Sequence, residues 1–379
     1  MSRPSAPPPR RLDQRLDAEI AAAHEPSVRA VLEVQRAVLD LRHGREARAR
    51  QALNRLHGES LRLADARLAG WLQLAEGQWI YFSSFGSEAC ERFQQALALA
   101  AGDAVLAAHA DAWVAQWAAV HRQQELFVRH AARAMAALEA LGLQAAAVGF
   151  RLACALGTAW ALAGDVEAAR YWDFQARLFA GQQGDDAGLA AAVYNQTQQR
   201  VARLRREALD GEPREAPGQL LGIDSVGNLD QIAGGAVRGD LTPLVRAQLL
   251  ALMGRWAAAV ALLEAQLPSV LANGLRQLGP SLLAELAWCR ARLGDFELAT
   301  RLADWASSLA PSITALGADA DELVALRQRL IQAYELAGAS ARAEPHRVEL
   351  QDALALERSQ RSSWSEALSA AALRELPGL

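Results

Sequence analysis

The sequence predicts an all-α fold made of helical hairpins stacked in series. Three observations carry this. Long segments are rich in Ala, Leu, Arg, Glu and Gln, all strong helix formers, with little proline inside them. Apolar residues recur at helical spacing, as at Leu282, Leu286, Trp288–Cys289 and Leu293, while β-branched runs with period-two alternation are absent. Glycines at 44, 86, 164, 254, 294 and 338 each follow one amphipathic stretch and precede another. With further turns expected near His121 and Gly211, their spacing gives a period of about 40–45 residues, or about seven to eight hairpins.

Taken in order, residues 1–20 read as a flexible Pro/Arg-rich tail, because Pro4, Pro7, Pro8 and Pro9 stand where a secretory leader would need an apolar run. Residues 21–210 form the first block of hairpins. Within it, Leu162–Arg170 aligns without a gap on Arg292–Thr300 of a second block, residues 239–358. In both segments a helix ends at Gly-Asp (Gly164-Asp165, Gly294-Asp295), and an alanine follows five residues after the glycine (Ala169, Ala299). Ala176 and Ala306 coincide seven further on. A glycine at such a turn supplies the left-handed conformation that closes a helix. Gly157 or Ala287 on one helix, facing Ala169 or Ala299 on the next, lets two backbones approach closely. Trp160, Trp172, Trp288 and Trp305 are then expected to fill space between hairpins. Residues 211–238 are rich in Gly and Pro and predict a long connection, the best hinge in the chain. Residues 359–379 read as a C-terminal tail.

These units resemble tetratricopeptide repeats. Leu156-Gly157, Trp160, Gly164-Asp165, Ala169 and Ala176 follow that family's order, with Trp in place of its usual Tyr. Leu286-Ala287, Gly294-Asp295-Phe296, Ala299, Ala306 and the closing Pro311 follow it too. Gly254 with Trp256 and Ala259, Gly338 with Tyr334 and Ala343, and Ala37, Gly44 and Ala49 are partial matches. The resemblance covers roughly residues 25–355 and implies an α-α superhelix with a concave groove lined by the first helix of each hairpin. A narrower resemblance, over Asn228–Ile232 and Leu241–Trp256, is to the repeats that precede GGDEF domains in bacterial signalling proteins. It implies an input half alone, since Gly234-Gly235 lacks the acidic residues of a GGDEF loop.

Composition excludes more than it selects. All 39 basic residues are Arg, against 43 acidic ones, for a net charge of −4. No cationic field is available to hold nucleic acid or an anionic membrane. Without Lys there is no Schiff-base chemistry and no Lys-dependent phosphate loop. Cys90, Cys154 and Cys289 are far apart, which excludes a disulfide framework and a thiolate zinc site. His121 and Glu125 share a helical face, but HExxH is absent, and so are G-x-S-x-G, GxGxxG and a Walker loop. Cys154, flanked by alanines, reads as a buried inert thiol. The uncharged stretch Leu152–Gly164 falls short of the ~20 residues that span a bilayer. The chain is therefore expected to be cytoplasmic and not an enzyme, with no cofactor and no metal.

The candidate binding residues are Asn195, Gln199, Arg203 and Arg206. If Leu189, Val193, Thr197, Val201 and Leu204 face the core, these four form an adjoining polar stripe. In a concave groove, Asn and Arg can hold a peptide's backbone or carboxylates. The expected function is non-catalytic binding of a protein or peptide partner, as a scaffold or adaptor in bacterial regulation or signalling. The alternative is a sensory regulator that binds a small ligand and controls a separate output protein such as a GGDEF-type cyclase. Self-association is left open.

Overall fold

The computed structural model describes residues 11–84, 86–216, 218, 220–225, 241–272, 278–315 and 320–376. Among them the chain is all-α, with no strand. Helix α1 (Leu12–Ala22) leads into hairpins α2–α3 (Pro26–Arg42, Glu46–Leu63), α4–α5 (Ala66–Ser84, Glu88–Leu99), α6–α7 (Ala104–Val120, Gln124–Leu141) and α8–α9 (Val166–Gln183 following Ala146–Ala163). Next comes α10 (Asp186–Glu207). Three more hairpins follow: α11–α12 (Leu241–Leu252, Trp256–Ala272), α13–α14 (Gly279–Arg292, Phe296–Ala315) and α15–α16 (Ala320–Leu336, Ser340–Ala370). First helices begin at Pro26, Ala66, Ala104, Ala146 and Asp186, and again at Leu241, Gly279 and Ala320, so the period is 38–42 residues.

The turns behave as the Gly-Asp pattern predicts. Gly164 (φ 80°) and Gly294 (φ 86°) are left-handed, as are Gly44, Gly184, Gly254 and Gly338. The aspartate that follows caps the next helix: Asp165 accepts from the Ala168 N–H at 3.0 Å, and Asp185 from the Gly188 N–H at 2.9 Å. Side-chain oxygens satisfy donors that a helix start leaves unpaired. The turn at His121 also appears, closed by Arg122 with φ 56°. Gly86 departs from the pattern and is not left-handed.

The described residues divide into two compact units. One runs to Asn195 and includes residues 364–376; the other takes Gln196–Ser225 and Leu241–Ser363. This corrects the expected boundaries, because the division falls inside α10 and inside α16. Both expected tails are corrected as well. Residues 12–20 lie in α1, whose Leu16 is buried. Residues 364–376 pack into the first unit, where Trp364 meets Phe127 edge-on at 5.3 Å. There the Leu373 carbonyl accepts both the Trp160 and Trp172 indole N–H groups, at 3.0 and 3.2 Å. Of the expected connection, 211–216 is irregular and 220–225 helical, and most of the remainder to 238 lies outside the described residues.

In the first unit α2, α4, α6 and α8 pack in succession, each also against its own second helix. Helices α6 and α8 are buried nearly all round: Ala110–Ala119 and Val148–Gly157 are buried without a break. By length and composition α8 could cross a membrane, but its apolar surface is taken up by α6 and α9. Gly157 permits that packing, since a Cβ there would stand 2.9 Å from Asp173 Oδ1. The unit also closes on itself. Arg42 at the end of α2 makes a bidentate pair with Asp185 (2.8 and 3.1 Å), and Leu12 N–H donates to the Gly184 carbonyl at 3.0 Å. The first hairpin thus meets the turn after the fourth.

Two packing expectations need correction. Trp160, Trp172 and Trp288 are buried, but Trp305 is 47% exposed, because Ala299, Ala303 and Ala306 form the buried face of α14. Pro311 does not close its helix; it lies inside α14 on an exposed position, where only one main-chain hydrogen bond is forgone.

Candidate functional site

The proposed stripe lies on α10, and the structure uses its members unequally. Asn195 is half-buried in the first unit; Gln199 is half-buried in the second, and Arg203 there sits 3.5 Å from Glu207. Arg206 is committed to a structural pair. Its Nε donates to both oxygens of Glu357 at 2.8 Å, and that carboxylate is only 2% exposed. Arg206 is therefore not a free groove residue: it shares the buried Glu357 carboxylate with Arg361, which lies 2.7 Å from Oε1. Val201 and Thr197 face the core as expected, whereas Leu189, Val193 and Leu204 are only half-buried.

The residue that turns inward is Arg205. Its guanidinium lies 3.4 Å from Glu285 Oε2 and 3.7 Å from Glu322, while Arg329 Nε donates to the same Glu285 oxygen at 3.1 Å. Glu285 is fully buried on the first helix α13, and Arg329, on the first helix α15, stacks 3.7 Å over Trp288. Burial alone would raise the Glu285 carboxyl, but Arg329 and Arg205 together hold it below its ordinary value. The first helices of the second unit thus present a charged, largely desolvated face.

That face holds a length of the protein's own main chain. After α10, residues Ala208–Ala216 run across three successive first helices. Gln328 and Gln332 of α15 donate to the Leu209 carbonyl at 2.5 and 2.8 Å. Arg292, at the end of α13, donates to the Gly211 carbonyl at 3.1 Å. The Arg214 N–H donates to the Leu252 carbonyl of α11 at 2.7 Å. Gly211 is required twice over: its φ is 76°, and a Cβ would stand 2.6 Å from Gln332 Nε2. Pro213 packs against Gly254 at the turn of the α11 hairpin. Side-chain amides and a guanidinium here read main-chain carbonyls two residues apart, which is recognition of backbone rather than of side-chain identity.

Sequence reasoning passed over Gln328, Gln332, Arg292 and Arg329. The two glutamines stand four residues apart on one helix face, and that spacing was the available signal.

The first unit has a different interior. Arg151, in the middle of α8, is 8% exposed and lies 3.8 Å over the Trp113 ring. Among the described residues no carboxylate pairs with it, and its Nε is buried without a hydrogen bond. Beside it the Tyr81 hydroxyl is hydrogen-bonded to Gln116, whose Oε1 is also buried without a partner. Burial pushes Tyr81 up to about 12 and Cys154 to about 11. Both shifts mark a medium of low dielectric.

The architecture defines an all-helical protein of antiparallel hairpins in series, with polar groups on the first helices. No family model matches the chain, and no curated protein matches it either.

Proposed function

We propose that this chain is a non-catalytic, tetratricopeptide-like α-α superhelix that binds an extended segment of a partner protein on its first-helix face, as an adaptor in cytoplasmic regulation or signalling. One observation carries the reading: Ala208–Ala216 already crosses α15, α13 and α11, held through its own main chain by Gln328, Gln332 and Arg292. A surface that grips backbone in cis has the donors to grip a partner's backbone, and the cis segment then acts as the occupant to be displaced. The repeat resemblance supports the same reading, since Ala169, Ala176, Ala299 and Ala306 are buried at the register that the family order requires. Hairpins of this kind cannot bury their apolar faces alone, and stacking leaves an extended surface for binding.

The test uses a fluorescently labelled peptide with the sequence of residues 208–216. A variant in which a Gly/Ser linker of equal length replaces 209–216 should bind it saturably in an anisotropy titration, and the intact chain should bind it much more weakly. Adding Gln328→Ala and Gln332→Ala should abolish binding. No saturable binding by a linker variant that keeps its helicity would overturn the reading, as would equal binding after both glutamines are removed.

A further inference from the structure

The segment seated on the first helices of the second unit shows what that face can select. Its main-chain carbonyls at Leu209 and Gly211 are read by Gln328, Gln332 and Arg292, which leaves most of its side chains free. Asp210, Glu212, Arg214 and Glu215 are accordingly exposed. Two positions differ from these. Gly211 is buried and left-handed, so an L side chain there would strain its own backbone. A Cβ would also press on Gln332 Nε2, 2.6 Å away, which already donates to the Leu209 carbonyl. Moving that amide aside would give up a hydrogen bond that holds the segment. Pro213 lies against the α11–α12 turn, where a Cβ on Gly254 would stand 3.2 Å from Pro213 Cγ. The proline ring fixes its own φ, biases residue 212 toward an extended backbone and leaves no N–H to satisfy. The next N–H, from Arg214, reaches the Leu252 carbonyl at 2.7 Å.

Resting on the role of this face as a binder of extended segments, we propose that the partner segment it accepts carries Gly-x-Pro. The glycine is left-handed, the middle residue varies, and Gly211-Glu212-Pro213 is the chain's own copy of the motif. Glycine is selected by conformation and by the space beside Gln332. An L residue that leaves the left-handed region there turns the chain, and the carbonyl read by Arg292 moves with it. Arg292 is itself held in place, stacked 4.8 Å over Trp256 and 5.8 Å over Trp288. Proline is selected by the Gly254 turn and by its stiffness, since a segment already restricted loses less freedom on docking. The middle position contributes little, because the Glu212 side chain is 67% exposed and 3.9 Å from Arg292.

The experiment displaces the labelled 208–216 peptide from the variant whose residues 209–216 are a Gly/Ser linker. The unlabelled competitors are the parent peptide, Gly211→Ala, Glu212→Ala, Pro213→Ala, and a peptide with Gly211 and Pro213 exchanged. Gly211→Ala should compete about tenfold less well, as left-handed strain of that size requires. Pro213→Ala should lose about threefold or more through its extra freedom when unbound. Glu212→Ala should compete nearly as well as the parent peptide, and the exchanged peptide should not compete. In the intact chain, Gly211→Ala should loosen the resident segment and so raise the affinity for the labelled peptide. If the labelled parent peptide does not bind the linker variant at all, the segment-binding role of the face falls, and this inference with it. If it binds and Gly211→Ala, Pro213→Ala or the exchanged peptide competes equally well, the Gly-x-Pro requirement alone is overturned. The same follows if the intact Gly211→Ala chain takes up the labelled peptide no better than the parent chain.

Discussion

At the scale of single residues, titratable groups are sorted by what surrounds them. His109 packs edge-on against Trp71, with ring centroids 5.4 Å apart, and burial pushes its imidazole from an ordinary 6.5 to about 4. His43 is lowered too, by burial first and then by Arg45 and Arg42. Both are neutral in the fold at pH values where the unfolded chain is protonated. Between pH 6.5 and about 4 the unfolded state binds the extra proton, so this contribution is complete above 6.5 and is lost as pH falls. Urea unfolding at pH 7 and pH 5 should show lower stability at the acid value. The gap between the two should narrow in His109→Gln. An unchanged gap in that variant would place the pH dependence elsewhere.

At the scale of elements, the hairpin turn is the recurring device, and it separates what was legible in the sequence from what was not. Gly294 has φ 86°, and open space surrounds the position a Cβ would take. Replacing it by Val therefore costs backbone strain alone, about 1–2 kcal/mol, and should lower the unfolding midpoint without altering the rest of α13 and α14. Thermal or urea unfolding of Gly294→Val checks this; an unchanged midpoint would mean that the turn relaxes freely. Turns of this kind were readable because their causes lie within a few residues: a left-handed glycine, then a capping aspartate. The partner of Arg206 was not readable, because Glu357 lies 151 residues away and only the fold brings it near. Trp305 misled for a related reason. Helical periodicity gives a face, but not which faces receive a neighbour. Arg151 could have been noticed as a lone charge in an otherwise apolar helix, although nothing local says that it lacks a carboxylate. Residues 364–376 looked like a tail because Trp364, Leu368 and Leu373 find their partners only in the folded first unit.

At the scale of the whole molecule, a lysine-free chain has made arginine serve structural purposes that sequence statistics would assign to solvent. Arg42, Arg205, Arg206 and Arg329 all reach carboxylates that are nearly or fully buried. The planar fork suits this use, because it satisfies a carboxylate at two points while losing little freedom. The link from Arg42 to Asp185 has a larger consequence. In an open row of repeats each unit touches only the next, so stability is a sum of neighbour terms and the ends fray independently. A bond spanning 143 residues turns the row of the first unit into a ring, and a ring has no end from which to unravel. Hydrogen exchange should therefore protect α2 and α9 to the same depth, as members of one cooperative block. Asp185→Asn should restore a gradient, with the outermost hairpin exchanging first. Its cost would register as a loss of simultaneity in unfolding, over and above the loss of a single ion pair.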